Sequence, residues 1–226
     1  MFLLYFDCFV CVKFYYTGLF DIFAGIGGFR SGLEKAGGFE CVGYCEIDRY
    51  AKKAYETMYD TEGEVYYDDA RKINPNELPD FDLICGGFPC QSFSIAGKRG
   101  GFDDARGTLF FEIARIAAVK KPKYLLLENV PGLLSHDSGR TFATILGSLD
   151  ELGYDVAWQV LNSANFRVAQ SRKRVFIIGF LREKCAGKVL SFTEENPIKV
   201  HPNIIYSTFC GSRMFLFSVS PLSRNL

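Results

Sequence analysis

Phe81-Asp82-Leu83-Ile84-Cys85-Gly86-Gly87-Phe88-Pro89-Cys90-Gln91-Ser92-Phe93-Ser94 runs from an apolar segment into a stiff loop that carries a cysteine. Phe81 to Cys85 reads as a buried strand of a parallel sheet. Two glycines then let the backbone turn sharply off the strand end, and Pro89 fixes φ beyond them. Open α/β sheets place their chemistry beyond the carboxyl ends of strands, which is where this loop puts Cys90. A lone cysteine beside a turn is more commonly a small buried residue, so the neighbouring segments must decide.

Outward from that strand, apolar runs alternate with helical patterns, the signature of a doubly wound, mostly parallel α/β sheet. Leu19 to Ala24 predicts a strand, followed by the turn Gly25-Ile26-Gly27-Gly28 and a helix from about Phe29 to Ala36 that stops at Gly37-Gly38. Glu40 to Glu46 predicts a second strand, and Asp48 caps a helix from Arg49 to about Tyr59. Glu64 to Tyr67 is a short third strand. Beyond the opening segment, Gln91 to Gly107 is a long polar loop of the kind that is usually functional or disordered. A helix then runs from Thr108 to about Val119, and Tyr124 to Glu128 is the fifth strand. Pro131 to Gly139 reads as a loop, with a helix after it to Leu152. Tyr154 to Leu161 and Arg174 to Phe180 are further strands. Past Leu181 the periodicity decays, and no clear element is expected between Ser191 and Leu226.

The chain has 226 residues and a formal net charge of zero. That length holds one α/β domain with a full core, and the charge gives no global field toward nucleic acid or a membrane surface. Any nucleic-acid contact must use a local basic face. The first twenty residues are apolar and aromatic, but Asp7 and Lys13 interrupt them, so neither a signal peptide nor a membrane span is expected. Eight cysteines could suggest disulfides, yet Cys41, Cys45 and Cys85 fall in strand-like runs, which fits a reducing cytoplasm. Cys8-Phe9-Val10-Cys11 lacks a polar knuckle, so no metal site is expected.

Three groups of residues carry chemistry. The Phe23-Ala24-Gly25-Ile26-Gly27-Gly28 turn brings backbone N–H groups to a helix N-terminus, and Glu46 closes the second strand in position for ribose hydroxyls. That pairing suits a dinucleotide as well as an adenosyl cofactor, so a nicotinamide-dependent oxidoreductase stays open at this point. Glu128 ends the fifth strand facing the crevice of the Cys90 loop, where a proton donor beside a thiol supports nucleophilic chemistry. Gln170-Ser171-Arg172-Lys173-Arg174 adds two arginines at a spacing of two, which share one face if extended.

Taken together, these segments resemble the bacterial cytosine-C5 DNA methyltransferase family from about Leu19 to Phe180, in the same order. The resemblance rests on Asp21 to Arg30, Glu46-Ile47-Asp48, Asp68-Asp69 and Gly86 to Ser94. Arg106 to Phe111, Glu128-Asn129-Val130 and Gln170 to Arg174 complete it. An oxidoreductase would leave Pro89-Cys90 and Glu128-Asn129 without a task. The resemblance implies a Rossmann-like, S-adenosylmethionine-dependent methyltransferase, acting in a restriction-modification system on double-stranded DNA with a flipped cytosine. Catalytic roles fall to Cys90, which would add to C6, to Glu128, which would bind N3 and the exocyclic amine, and to Arg172 and Arg174, which would hold the base. Cofactor contacts fall to Phe23, Ala24, Gly25, Ile26, Gly27, Gly28, Glu46, Ile47, Asp69, Pro89 and Leu109. The Gln91 to Gly107 loop would close over the base.

Residues 16–185 are expected to form the cofactor-binding and catalytic domain, with 1–15 and 186–226 unassigned. The family's target-recognition region and its closing C-terminal segment find no match after Phe180. An inactive truncated copy, or one subunit of a split enzyme whose partner chain carries target recognition, is therefore the alternative expectation.

Overall fold

The computed structural model describes residues 17–89, 109–166 and 168–184, together with the backbone of two strands near the C-terminal end. In chain order the elements are β1 (Thr17–Ile22), α1 (Gly28–Ala36), β2 (Phe39–Cys45), α2 (Arg49–Met58) and β3 (Val65–Tyr67). They continue with β4 (Leu83–Gly87), α3 (Leu109–Lys120), β5 (Tyr124–Asn129), α4 (Arg140–Glu151), β6 (Tyr154–Asn162) and β7 (Lys173–Leu181). Seven strands form one sheet in the order β3-β2-β1-β4-β5-β7-β6. All neighbours are parallel except around β7, which runs antiparallel to both β5 and β6. This is the doubly wound, mostly parallel sheet expected from the alternation of elements.

Both faces of the central strands are apolar, because both are covered. On one face Phe20, Ile22, Ile84, Leu125 and Leu127 pack with Ile113 and Ile116 of α3 and Ile145 and Leu149 of α4. The other face gathers Leu19, Leu83, Cys85, Leu126 and Ile178 with Leu33 of α1. Cys41, Cys45 and Cys85 are free and buried, as their strand positions foretold. Asp48 caps α2 by accepting from Tyr50 N at 2.9 Å and Ala51 N at 2.8 Å.

Three local readings change. The first strand ends at Ile22 rather than Ala24, because Phe23 adopts φ 56° and leaves the ladder. Pro131 to Gly139 opens with a 3-10 turn, Pro131–Leu134, and then kinks through Asp137 and Ser138, which take left-handed backbone angles. The tail also contains an antiparallel ribbon, β8 (Tyr206–Cys210) with β9 (Arg213–Phe217), where no element was expected. Two short β-prone runs flanking Gly211-Ser212 are a hairpin pattern too brief for a periodicity count to register.

Strand order reverses between β1 and β4, so the crevice beyond their carboxyl ends is the place for a ligand. β7 contributes there from its beginning rather than its end, since it is reversed.

Candidate active site

The turn after β1 is built under backbone strain. Phe23 sits at φ 56°, a region that costs a non-glycine residue about 1–3 kcal/mol. It is held there by Ala24 N donating to Cys45 O at 3.0 Å and by Gly27 N donating to Ala24 O at 2.8 Å. α1 then starts at Gly28 with no side-chain cap and no acidic residue in its first turn, so its positive end stays uncompensated. A Cβ on Gly28 would meet nothing within 4 Å, leaving open space before the helix.

Glu46 ties this turn to the next one. Its Oε2 accepts from Gly25 N at 2.7 Å and its Oε1 from Asp48 N at 2.7 Å. A carboxylate offers about four lone-pair sites, so acceptor capacity remains for hydroxyl groups.

A cavity of about 290 Å³ opens beside the turn. Phe23, Ala24, Gly28 and Phe29 form one wall, and Gly87 and Glu128 stand at the ends of β4 and β5. Arg172, Arg174 and Phe176 approach from β7, and Leu161, Ser163 and Phe166 from the end of β6. Arg174 Nε lies 2.7 Å from Glu128 Oε1, both side chains about one-fifth exposed. Burial pushes the Glu128 carboxyl above the usual carboxylate range, and the Arg174 and Arg172 guanidinium groups oppose that shift.

The two glycines ending β4 serve a purpose other than turning. Neither has a positive φ, and both lie within the strand. A Cβ on Gly86 would fall 1.9 Å from Ile22 O, and one on Gly87 would fall 2.9 Å from Glu128 Oε2. They let the neighbouring backbone and the Glu128 carboxylate approach closely.

Two polar side chains fix the loops around the cavity. Asn129, buried, donates from Nδ2 to Phe88 O at 2.9 Å and accepts from Val130 N at 2.8 Å. It thereby pins the chain two residues before Cys90, which itself lies outside the described residues. Ser163 Oγ donates to Gln170 O and accepts from Arg172 N at 3.0 Å, holding the basic turn.

Of the residues expected at the site, the cavity gathers Phe23, Ala24, Gly28, Glu128, Arg172 and Arg174, with Gly25 and Glu46 joined just behind. Ile26 and Ile47 stand outside it, 52 % and 70 % exposed, and Pro89 is exposed too. Leu109 begins α3 away from the cavity wall. Asp69 caps a 3-10 turn and forms an ion pair with Arg71 at 2.7 Å, a partner that any ligand would have to share. Sequence reasoning missed Phe29, Phe176, Leu161, Ser163 and Phe166. The pairing of Glu128 with Phe176 and of Leu161 with Arg174 across β7 brings in the two strand residues, and pairing is not written in any local motif, whereas Phe29 directly follows the glycine turn and could have been read from its position.

Asp21, two residues before Phe23, is buried in β1. Cys85 Sγ donates to its Oδ1 at 3.7 Å, while Oδ2 has no hydrogen-bond partner among the described residues. Burial pushes its pKa up to about 8, with Cys85, Arg30 and Tyr55 opposing the shift.

Residues 18–207 match the family model described as C-5 cytosine-specific DNA methylase. The chain is 51 % identical over 162 residues to the type II methyltransferase M.NgoBI of Neisseria gonorrhoeae, covering 71 % of this chain and 49 % of that one. With M.HhaI of Haemophilus parahaemolyticus it shares 46 % identity over 166 residues, covering 73 % of this chain and 50 % of the relative. It thus spans about half the length of the curated relatives it matches. A solved DNMT2 mutant of Spodoptera frugiperda superposes with a TM-score of 0.63 at 20 % identity, over 79 % of this chain and 54 % of that chain, a likeness of fold. With Glu128, Arg174 and the glycine turn converging on one cavity, and with the family model covering most of the sequence, the chain belongs to the C-5 cytosine-specific DNA methylase family.

Proposed function

We propose that this chain supplies the cofactor-binding and catalytic half of a DNA (cytosine-5-)-methyltransferase of a restriction-modification system, working in the cytoplasm. The observation that carries the reading is the Arg174–Glu128 pair at 2.7 Å, in a cavity that also contains the Phe23 to Gly28 turn. A carboxyl of raised pKa, held by a guanidinium group beside an adenosyl-type cradle, suits a neutral nitrogen heterocycle that gains charge during reaction.

The cradle fits S-adenosylmethionine. The uncapped N-terminus of α1 suits the carboxylate of its amino-acid part, and the spare lone pairs of Glu46 suit two ribose hydroxyls. Exposed Ile47 and Ile26 offer apolar surface for the adenine ring, with Asp69 and Leu109 further out. When bound, that cofactor supplies an electrophilic methyl group. The chain's own residues do the rest. Cys90 thiolate adds to C6 of a flipped cytosine, and the C5–C6 π electrons shift to C5. Glu128 hydrogen-bonds N3 and the exocyclic amine as charge grows on the ring. Loss of the C5 proton after alkylation expels Cys90 and restores the aromatic ring. Base-edge reading would fall to a target-recognition region, which a partner chain could carry.

The test is a covalent trap. Incubated with S-adenosylmethionine, a recognition-bearing fragment of a relative and DNA containing 5-fluorocytosine, the chain should form a denaturant-stable adduct, because fluorine blocks the elimination. Cys90→Ser should abolish it. An adduct that persists in that variant removes Cys90 from the role.

A further inference from the structure

Four tyrosine rings lie in a row beside the cofactor cradle, the middle pair stacked and the outer two tilted. The rings of Tyr66 and Tyr44 lie 5.1 Å apart, those of Tyr44 and Tyr55 4.3 Å apart and nearly parallel, and those of Tyr55 and Tyr59 4.8 Å apart. A cation closes each end, with Lys52 Nζ 4.4 Å from the Tyr66 ring and Arg30 Cζ 4.4 Å from the Tyr59 ring. Arg30 is itself anchored by Glu34, Glu64 and the Asp60 carbonyl.

The outer hydroxyls point at the cradle. Tyr59 Oη donates to Gly27 O at 2.8 Å, and Tyr66 Oη donates to Glu46 O at 3.1 Å. Gly27 is the N-cap of α1, and Glu46 is the residue whose carboxylate holds Gly25. Each end of the stack therefore grips the backbone of one arm of the cofactor site. The fit at Gly27 is close, since a Cβ there would lie 2.4 Å from Tyr59 Cε2. By contrast, the inner Tyr44 hydroxyl donates to Glu56 on α2 at 2.9 Å and touches neither arm.

We propose that Tyr59 and Tyr66 are positioning residues for the cofactor, the end rungs of a brace that fixes the glycine turn and Glu46 at a set separation. This rests on the reading of that cradle as the S-adenosylmethionine site. The end rings are held by tilted ring contacts and by the two cations, so the hydroxyls serve the carbonyls. An organised cradle binds its ligand with less ordering cost.

The experiment compares the wild-type chain with Tyr59→Phe, Tyr66→Phe, the double variant and Tyr44→Phe. Each keeps its ring and loses one hydroxyl. Calorimetric titration with S-adenosylmethionine should show affinity reduced about three- to tenfold in Tyr59→Phe, the range of one lost hydrogen bond. The more exposed Tyr66→Phe should lose about twofold on the same scale, and Tyr44→Phe should bind like wild type. Melting temperatures of the end-rung variants should fall by no more than about 5 °C, the scale of one lost hydrogen bond. Wild-type affinity in Tyr59→Phe and in the double variant overturns the proposal. So does a loss shared by Tyr44→Phe that tracks melting temperature. A second readout needs no ligand. In the free chain, amide exchange should quicken at Gly27 in Tyr59→Phe and at Gly25 in Tyr66→Phe, but at neither in Tyr44→Phe. If wild type binds no S-adenosylmethionine, the cofactor reading fails and exchange alone decides the brace, with unchanged rates at Gly25 and Gly27 overturning it.

Discussion

Gly87 and Glu128 face each other across the β4–β5 ladder, so near that a methyl group on Gly87 would lie 2.9 Å from Glu128 Oε2. Gly86, one residue earlier, meets the carbonyl of Ile22 instead, at 1.9 Å. Adjacent glycines thus stand against a movable side chain and an immovable backbone. Gly87→Ala should fold nearly normally but push Glu128 off Arg174, cutting methyl transfer far more than stability. Gly86→Ala should force β1 and β4 apart and cost stability at or beyond the upper end of the ~1–3 kcal/mol usual for overpacking. Urea unfolding of both variants beside a transfer assay checks the contrast. Equal loss of stability in the two would contradict it.

The buried Asp21 carboxyl predicts a pH dependence of stability. Its folded pKa, about 8, lies above the value in an unfolded chain, so the folded state holds the proton more tightly. The contribution is complete below pH ~4, the ordinary carboxylate range, falls by about 1.4 kcal/mol per pH unit as pH rises, and is gone above the folded pKa. Asp21→Asn cannot ionise and should lack this slope. Relative to wild type it should gain stability from pH 5 to about pH 8 and then level off. Parallel pH profiles of denaturation midpoint would count against it.

Asn129 holds Phe88 O, and through it the approach to Cys90. Asn129→Ala leaves that carbonyl and Val130 N without their partner, at about 1–3 kcal/mol for buried polar groups. Adduct formation with 5-fluorocytosine DNA should slow well beyond tenfold on that scale. Cofactor affinity should hardly change, because Asn129 touches no residue of the glycine turn. A matching fall in both quantities would point to general disruption instead.

Glu46 staples Gly25 N and Asp48 N as well as facing the proposed ribose site. Glu46→Ala should weaken S-adenosylmethionine binding tenfold or more, on the scale of about 1–3 kcal/mol for unpaired buried groups. Glu46→Gln can keep only one acceptor oxygen and should fall between. Calorimetry on the two variants orders them, and an alanine variant that binds like wild type would dismiss the staple.

Much of this was legible in the residues themselves. Apolar runs such as Leu125 to Leu127 announce a strand buried on both faces, and Asp48 announces the start of α2, because burial and capping are local demands. The glycine turn and Glu46 were legible as a pair for the same reason. What stayed hidden depends on who sits beside whom. Gly86 and Gly87 look like turn residues until Ile22 and Glu128 are placed against them. Phe176 and Leu161 look like ordinary core residues until the reversal of β7 brings them to one cavity. The row of tyrosines draws on β2, α2 with its C-cap residue Tyr59, and β3, and only the contact between these elements shows that the rings form one row.

That reversed strand also bears on the order of assembly. β6 and β7 form a hairpin that can close from local contacts, and β1 to β5 build up through successive strand–helix–strand units. Glu128 belongs to the second unit and Arg174 to the first, so their ion pair exists only once the two have docked. Contacts of long sequence separation form late, since chain closure must come first. The chain therefore reaches most of its secondary structure before the candidate site is assembled, and perturbing the Glu128–Arg174 contact should register in the rate of unfolding rather than of folding.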